Sequence, residues 1–589
     1  MSFNGGRVSY GISPFDACGE HSILTGMNKR WMLFFFIFIL WPHTVYADGG
    51  GWLVATRRLD GQDDIWAQSA DGGAWVRLTA TPDDERDPVW SPDGTRLAYA
   101  ARRAKNWDVY LLDLRDGSET RLTTDPHYDG EPAWSPDGTR LAFVSQRAGD
   151  LDIFLLDLRD GSLQNLTADS PAHEFSPAWS PDGRTLAFIS TRNGTGDLFA
   201  LDLATGDVAP LLVSDGEERH PHYLPDGRLV LQRTLGRETQ VGVWTPETDT
   251  WQPLNLVNTA LEPAVSPDGR EVRWLEPRSE VATLMQARDV EGRTWPERRS
   301  PPMPETVRGL AWGTPDETLL RAYAQTVPPL APPAPQPDDE PAEIVELPEF
   351  SLGIPYSTVR LSSKVAESFR RLRERVRQAS GIDFLVDISD ALRPLNLETD
   401  DSDYLSWHKA GRAVDTLWDI GWRGRYAWLE VVREDRNGEV FWRLWLRCRV
   451  QDGSCGEPLT EQPWDFSYAA RWELYPGEGG APRGFLDGYY VDFTTLARDE
   501  GWLRISSYED ADFDWRTDKN ALEYWHYQRT DGLTWWAAMQ ELYTSEELQR
   551  WFDWPHLVER AIPLWYLRAK AIPVPPEMQQ TTTWYVLNR

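Results

Sequence analysis

Positive charge is scarce in this chain of 589 residues. Lysine and arginine together number 60 against 92 aspartates and glutamates, which gives a formal net charge of −32 at pH 7. Such a surface repels phosphate groups, so the composition argues against a nucleic-acid partner. The apolar run from Trp31 to Trp41 (WMLFFFIFILW) is too short to span a bilayer comfortably. The length exceeds what one core supports, so two or three domains are expected.

Residues 1–47 are predicted to be a leader and not part of a folded domain. A short basic start at Met27 (MNKR) precedes the apolar run, and Val45-Tyr46-Ala47 offers the residues that a signal peptidase reads. We expect cleavage after Ala47 and a true start at Met27. A retained N-terminal anchor is the alternative. In either case the sequence predicts an exported protein that is periplasmic, extracellular or associated with the cell envelope.

Cysteine is also scarce, with three in the whole chain. Cys18 lies in the leader, and Cys448 and Cys455 flank turn residues in LRCRVQDGSCGEPL. In an exported protein this spacing favours a disulfide that closes a hairpin. A metal-binding pair is disfavoured because neither cysteine has a histidine near it in sequence.

Residues 51–323 repeat one pattern. The string WSPDG begins at three positions 44 and 45 residues apart, and weaker copies follow; the six copies begin at Trp90, Trp134, Trp179, Tyr223, Val265 and Trp312. Short strands with a Pro-Asp-Gly turn between the inner two, repeated every 42 to 47 residues, predict the blades of a propeller. Residues 51–79 lack that turn. We therefore expect them to complete a sixth blade whose first strand comes from Leu310 to Trp312, which removes free sheet edges.

His220 and His222 are the histidines of this region that invite a metal hypothesis. They alternate in ERHPHYLPDG and are expected to point the same way on a strand. No third ligand with useful spacing accompanies them, so polar residues near the central channel are the favoured interpretation.

Residues 324–347 predict a linker, and residues 348–589 predict an α+β domain. The proline-rich, acidic linker should be extended and semi-rigid and should hold the two domains apart. A helix over 363–379 should precede a strand that contains Arg393. Four further strands are expected in RYAWLEVV, EVFWRLWLRCRV, DFSYAARWELY and GYYVDF. A helix is expected from Trp535 to Trp551, around a cap at Thr544 or Ser545.

Two motifs in this domain carry residue types suited to metal chemistry. YLSWHKAGRAVD places His408 seven residues before Asp415, and ALEYWHY places Glu523 three residues before His526. One continuous strand would separate residues seven apart by about 23 Å, so a shared metal requires a turn, which Gly411 can supply. Two imidazoles and a carboxylate are a normal zinc set with a fourth position for water. A further carboxylate can accept a proton. Ordinary surface or core histidines are the alternative.

The motifs S-x-H-x-x-G-x-A-x-D and E-x-W-H resemble the signature of the zinc D-alanyl-D-alanine peptidases of the VanX and VanY type. The resemblance covers roughly residues 354–543. It implies that His408, Asp415 and His526 bind Zn²⁺ and that Glu523 is the catalytic base. It also implies that Arg393, in FLVDISDALRPLN, contacts the substrate or the developing oxyanion. About a hundred residues separate the two motifs, and this insertion is expected to reshape the substrate cleft.

The repeats of residues 51–323 resemble the propeller of TolB-like periplasmic proteins, which implies a platform that binds a partner and is not itself an enzyme. The sequence thus predicts an all-β six-bladed propeller followed by an α+β zinc-peptidase-like domain. The expected function is an exported zinc metallopeptidase that hydrolyses short peptides of the cell wall (peptidoglycan stem peptides). A prolyl-oligopeptidase-like serine peptidase is rejected because the C-terminal part has no G-x-S-x-G elbow. A non-catalytic binding protein that holds wall peptide or a protein partner is the alternative.

Overall fold

The computed structural model describes residues 50–575, apart from residues 104, 256–258, 279–280, 292–295, 304–305, 330–340, 353–357, 398–404, 418–427, 437, 468, 475–476, 510–512, 561 and 563. The predicted leader, with Cys18, Met27 and the cleavage position after Ala47, lies outside the described residues. Among the described residues, none of the helices has both the length and the apolar character needed to span a membrane.

Six four-stranded antiparallel sheets form the propeller. Its strands are β1 (Trp52–Leu59), β2 (Gln62–Ser69), β3 (Val76–Arg77), β4 (Glu85–Trp90), β5 (Arg96–Arg103), β6 (Asn106–Asp113), β7 (Glu119–Arg121), β8 (Asp129–Trp134), β9 (Arg140–Ser145), β10 (Asp152–Asp157), β11 (Leu163–Asn165), β12 (Glu174–Trp179), β13 (Thr185–Ser190), β14 (Asp197–Asp202), β15 (Val208–Leu212), β16 (Glu217–Tyr223), β17 (Leu229–Leu235), β18 (Glu238–Thr245), β19 (Thr250–Pro253), β20 (Leu261–Val265), β21 (Val272–Arg278), β22 (Val281–Ala287), β23 (Glu297–Arg298) and β24 (Thr306–Gly313).

Blade 1 contains β24 and β1–β3, and blades 2 to 6 use consecutive strands from β4–β7 to β20–β23. The last strand of the propeller therefore forms the inner edge of the first blade, with Trp312 opposite Leu53. The predicted closure by Leu310 to Trp312 is confirmed.

The Pro-Asp-Gly turns connect the two inner strands, as predicted. In blade 2 the Asp93 carboxylate accepts hydrogen bonds from the Ser91 hydroxyl (2.6 Å) and from the Thr95 N–H (3.1 Å). Gly94 has φ 67°, a conformation that side chains disfavour. The tryptophan before the turn links neighbouring blades, since Trp134 Nε1 donates to the Val89 carbonyl at 3.3 Å.

The remainder of the chain mixes helices and short strands. Its regular elements are α1 (Glu317–Ala324), β25 (Ile344–Ser351), β26 (Thr358–Ser362), α2 (Ser363–Ser380), β27 (Ala413–Asp415), β28 (Leu429–Arg436), β29 (Glu439–Arg447), β30 (Glu457–Pro458), β31 (Trp464–Asp465), β32 (Ala481–Pro482), β33 (Tyr489–Asp492), α3 (Phe493–Asp499), β34 (Leu503–Arg504), β35 (His526–Gln528), α4 (Trp535–Leu542), α5 (Ser545–Phe552), α6 (Trp554–Glu559) and α7 (Leu564–Ala569). Two sheets organise the region, with strand orders β28-β29-β33-β30 and β27-β35-β34.

Helix α2 confirms the predicted helix. It begins after the cap Ser362 and ends at Gly381, which has φ 73°. Apolar residues at helical spacing, including Phe369, Leu372 and Val376, are buried in the core of the domain.

Three local predictions about this domain differ from the structure. Arg393 does not lie on a strand; an isolated bridge between Asp390 and Asp415 precedes it, and Pro394 cannot donate to a ladder. The segment DFSYAARWELY contains a π-helix, Ala469–Leu474, where alanine, depleted in strands, follows the aromatics. The predicted helix from Trp535 to Trp551 is two helices, α4 and α5. Thr544 lies between them and begins α5 with a capping box.

The alternation expected for His220 and His222 is interrupted. A β-bulge shifts the register of β16 between Arg219 and His222, and His220 has φ 49°. The innermost strands of the other blades carry an equivalent residue with positive φ, and these are Asp87, Glu131, Ser176, Glu262 and Gly309. We call these six residues the bulge ring.

The expectation that the linker holds the two domains apart is wrong. β25 begins inside the predicted linker, and the insertion between the two metal motifs packs on the propeller. Arg58 forms a bidentate ion pair with Asp499, with Nε 3.0 Å from Oδ1 and Nη2 2.8 Å from Oδ2. Further contacts join Arg86 to Glu457, Arg237 to Glu509, Trp107 Nε1 to the Gly456 carbonyl, and the Tyr128 N–H to Tyr489. Composition describes how stiff a linker is but carries no information about matching surfaces elsewhere.

A disulfide joins Cys448 and Cys455, with Cα atoms 6.0 Å apart. It closes the turn that follows β29. Trp107 contacts the residue after it, Gly456, and a Cβ on Gly453 would lie 2.1 Å from the Pro126 carbonyl. The closed turn therefore belongs to the surface that faces the propeller.

Candidate metal centre

His408 lies in a 3₁₀ helix, Trp407–Ala410. The helix begins after Ser406, whose hydroxyl accepts a hydrogen bond from the His408 N–H at 3.3 Å. It ends at Gly411, which has φ 61°, and a Cβ there would lie 2.8 Å from the Ser362 nitrogen. Because only glycine fits both conditions, the prediction that Gly411 supplies the turn is confirmed.

Strand pairing places the other two residues opposite each other. β27 and β35 pair antiparallel, with Asp415 directly across from His526. Asp415 Oδ1 lies 3.1 Å from His408 Nε2 and 2.9 Å from His526 Nδ1. One side-chain ligand atom from each residue lies within 4.8 Å of the others. All three residues are buried.

The hydrogen bonds of His408 indicate what this cluster can hold. Nδ1 lies 2.5 Å from the Ala391 carbonyl, which can only accept, so Nδ1 carries the proton. In a neutral imidazole Nε2 then presents a lone pair toward the carboxylate of Asp415. A cation between them, or a second proton on His408, is needed to make that contact favourable. A backbone carbonyl behind a histidine is also the usual support of a metal ligand. The residues therefore fit a metal ion.

Electrostatics keep Asp415 ionised. Burial opposes the charge, but His408 and His526 outweigh it and hold the pKa of Asp415 well below its ordinary value. Arg393 adds a further positive group, with Nη2 3.4 Å from Asp415 Oδ2.

Glu523 and Arg393 lie beside the three clustered residues. Glu523 Oε2 is 4.0 Å from His526 Nδ1, and the residue has φ 57°. A left-handed conformation at a residue other than glycine costs roughly 1–2 kcal/mol and is concentrated at functional sites. The Arg393 N–H donates to the His408 carbonyl at 3.2 Å. The structure thus brings together all five residues singled out in the two motifs and upstream of them.

Three supporting groups were missed by the sequence analysis. Asp390 accepts a hydrogen bond from Arg393 Nε at 2.5 Å, and the Ala391 carbonyl accepts from His408. Gln528 Oε1 lies 3.4 Å from His526 Nε2. Gln528 could have been identified from the sequence, because it lies two residues after His526 and residues two apart on a strand share a face. The Ala391 carbonyl had none, because a backbone group leaves no trace in residue type.

A match to a protein-family model supports the propeller. Residues 71–314 match the family model PD40, described as a TolB beta propeller domain, and this region is a TolB-like propeller. TolB from Acinetobacter baumannii is 23% identical, with 45% of this chain and 67% of that chain covered and a TM-score of 0.41. A puromycin-hydrolyzing peptidase of Mycobacterium tuberculosis is 20% identical, with 42% and 43% covered and a TM-score of 0.34. An oligogalacturonate lyase in complex with manganese is 18% identical, with 42% and 73% covered and a TM-score of 0.32. No curated relative matches the chain.

Proposed function

We propose that the protein is an exported zinc-dependent peptidase that acts on short peptides, with cell-wall peptides ending in D-alanyl-D-alanine as the substrate class. The observation that carries this proposal is the convergence of His408 Nε2, Asp415 Oδ1 and His526 Nδ1 beside the carboxylate of Glu523. The substrate class rests on the resemblance of the two motifs to the D-alanyl-D-alanine peptidases.

His408, Asp415 and His526 would hold the metal. A zinc ion supplies a Lewis acid that polarises a carbonyl group and makes water more acidic. The Ala391 carbonyl fixes the tautomer of His408, and Gln528 lies behind His526, so both rings are held in orientation.

Glu523 is the proposed general base. Its Oε2 lies close to the metal ligands without being needed as one, so it can take a proton from the attacking water and give it to the leaving amine. Glu523 lies in the turn between a 3₁₀ helix, Lys519–Ala521, and β35, and its positive φ sets the direction of its carboxylate.

Arg393 is the proposed electrostatic group. Its guanidinium is held by Asp390 and lies next to Asp415, so it can stabilise negative charge on the reacting carbonyl oxygen or bind the terminal carboxylate of a peptide. Export is supported by the leader pattern and by the disulfide between Cys448 and Cys455.

Metal content of the purified full chain tests the ligand set. We expect about one zinc per chain in the wild type, and loss of that zinc in His408→Ala and in His526→Ala. His556→Ala is the matched control, because His556 is a half-exposed histidine that is bonded to Asp553 and belongs to neither motif. Zinc retained by His408→Ala would contradict the ligand assignment.

Turnover tests the reaction. D-alanyl-D-alanine and tripeptides that end in it should be cleaved, L-alanyl-L-alanine should not, and a chelator should abolish cleavage. Glu523→Gln should keep its zinc and lose activity by about 10²–10⁴-fold, the usual contribution of a general base. A protein that binds zinc in the expected stoichiometry and cleaves no peptide would instead be a metal-dependent binding protein.

A further inference from the structure

A large cavity lies between the propeller and the rest of the chain. Its volume is about 790 Å³, within the range of roughly 300–1,000 Å³ usual for ligand sites. The bulge ring of the propeller forms one wall, and residues of β28, β29 and the segment from Glu457 to Trp464 form the other. We call this cavity the interdomain chamber. None of the five residues of the candidate metal centre lines it.

Most arginines of the interdomain chamber already have carboxylate partners. Of the seven that line it, six form ion pairs with carboxylates: Arg86 with Asp63 and Glu457, Arg219 with Glu217, Arg308 with Asp63, Arg433 with Asp435, and Arg436 and Arg443 with Glu434. The seventh, Arg498, contacts Thr306.

Several carboxylates of the interdomain chamber form no such direct ion pair. Asp87, Glu131 and Glu262, which belong to the bulge ring of blades 2, 3 and 6, form no ion pair within the described part of the chain, and neither does Glu461 opposite them. Among the residues that the structure describes, Glu131 Oε2 accepts hydrogen bonds from Ser176 alone, from its N–H at 2.8 Å and from its hydroxyl at 3.2 Å. Oε2 of Glu262 and Oε2 of Glu461 are inaccessible to solvent and have no hydrogen-bond partner among the described residues.

A partly buried carboxylate without a direct ion pair is costly to ionise, and the pKa values of two of these groups reflect that cost. Burial raises the pKa of Glu131 to about 7, with Asp87 adding to the rise. Burial likewise raises the pKa of Glu262 to about 7, against the lowering effect of Arg308. The chamber therefore favours an added positive charge over its present state.

The arrangement indicates the kind of cation. Within the described residues, no set of three acidic, histidine or cysteine ligand atoms converges within 4.8 Å except at the candidate metal centre, so the chamber acids are too dispersed for one metal ion. Apolar residues also line the chamber, among them Phe175, Leu261 and Leu310. An aliphatic chain can contact these side chains while its ammonium groups reach separate carboxylates.

We propose that the interdomain chamber binds an aliphatic ligand with two or more ammonium groups, for which Asp87, Glu131 and Glu262 supply the counter-charges. Free polyamines and peptides with adjacent lysines share this chemistry. The site is independent of the metal centre, so binding can be measured on protein in a chelating buffer.

Titration calorimetry on the full chain tests the proposal with two probes, spermidine and trilysine. We expect saturable binding of at least one probe with one site per chain. Glu131→Gln and Glu262→Gln each keep the shape of the side chain and remove its charge, and each should weaken binding at least tenfold, which equals about 1.4 kcal/mol. Glu247→Gln is the matched control, since it makes the same change at an exposed residue outside the chamber and should leave the Kd within about twofold.

The outcomes separate the ligand sources and can overturn the proposal. Saturable binding of spermidine but not trilysine identifies a free polyamine, and the reverse identifies a basic peptide. Melting of the unliganded variants gives a second readout, because removal of a partly buried carboxylate that forms no ion pair should raise the Tm above that of the wild type. Failure of both probes to bind the wild type would overturn the proposal, and so would equal weakening in Glu131→Gln and Glu247→Gln. Binding of the two probes to the wild type tests the proposal even if a variant fails to fold.

Discussion

Asp499→Asn should weaken the attachment of the C-terminal domain to the propeller. Asp499 ends α3 and accepts from Arg58 at 3.0 and 2.8 Å and from Arg375 at 2.8 Å. The side chains of Arg58 and Asp499 are 8% and 6% exposed. The pair therefore lies in the buried class, in which removal of one partner costs about 3–5 kcal/mol.

The other contacts of the two arginines reduce this cost in free energy. Arg58 keeps Asp63 at 3.0 Å and Asp84 at 3.5 Å, and Arg375 keeps Glu500 at 3.2 Å, so neither arginine is left without a counter-charge. Asparagine also retains one carbonyl oxygen, and it removes a negative charge from the C-terminal end of a helix, where that charge is unfavourable by roughly 0.5 kcal/mol. We expect a net loss of about 2 kcal/mol.

Differential scanning calorimetry measures this loss. The midpoint should fall by about 2–4 °C in a chain of this size, and the transition should broaden or split because the two domains unfold less cooperatively. Glu317→Gln is the control: Glu317 pairs with Arg321 at 2.7 Å, a similar distance, but the two side chains are 58% and 56% exposed. Such a pair is worth about 0.5 kcal/mol or less. Equal midpoints for the two variants would refute a structural role for the buried pair.

Three further predictions concern the metal centre and the propeller. Arg393→Lys should keep zinc and lower kcat/KM for a D-alanyl-D-alanine peptide by about 100-fold, because lysine lacks the planar fork that binds a carboxylate. Gly411→Ala should lower both the Tm and the zinc content at a cost of about 1–3 kcal/mol, whereas Ala410→Gly should keep its zinc. Burial raises the pKa of Glu85 to about 8. The ionised form is thus disfavoured on folding, so wild-type stability should fall as the pH rises from 4.5 to 8, and Glu85→Gln should reduce that fall in melting curves at pH 5 and pH 8.

The propeller could be predicted in detail because its information is local. Each Pro-Asp-Gly turn is fixed by contacts within five residues, such as those of Asp93 with Ser91 and Thr95. Repetition then supplied the blade count, and the missing turn in the first segment identified the closing strand. The bulge ring escaped prediction, because a bulge depends on the pairing strand and on how the blades converge at the channel.

The candidate metal centre was predictable to the extent that its groups lie in short motifs. His408 and Asp415 are brought together by one turn at Gly411, and His526 faces Asp415 across a strand pair. Arg393 lies beside Asp415, but in a segment without regular structure and not on the expected strand. Asp390, which holds its guanidinium, lies only three residues away, but a carboxylate near an arginine is too common in sequence to single out.

The insertion between the two motifs explains why the domain arrangement could not be predicted. It was expected to shape the substrate cleft, yet it provides Asp499, Glu457 and Glu509, which pair with propeller arginines between about 270 and 440 residues away. Such pairs follow no period or spacing in the sequence. The same insertion forms the outer wall of the interdomain chamber, while the metal ligands lie on either side of it in the chain and outside the chamber. The two proposed sites are therefore separate, a compact one suited to a metal ion and a dispersed one suited to an extended cation. A variant such as Asp499→Asn that loosens the insertion should change spermidine affinity while leaving zinc content unchanged, and a parallel change in both would contradict this separation.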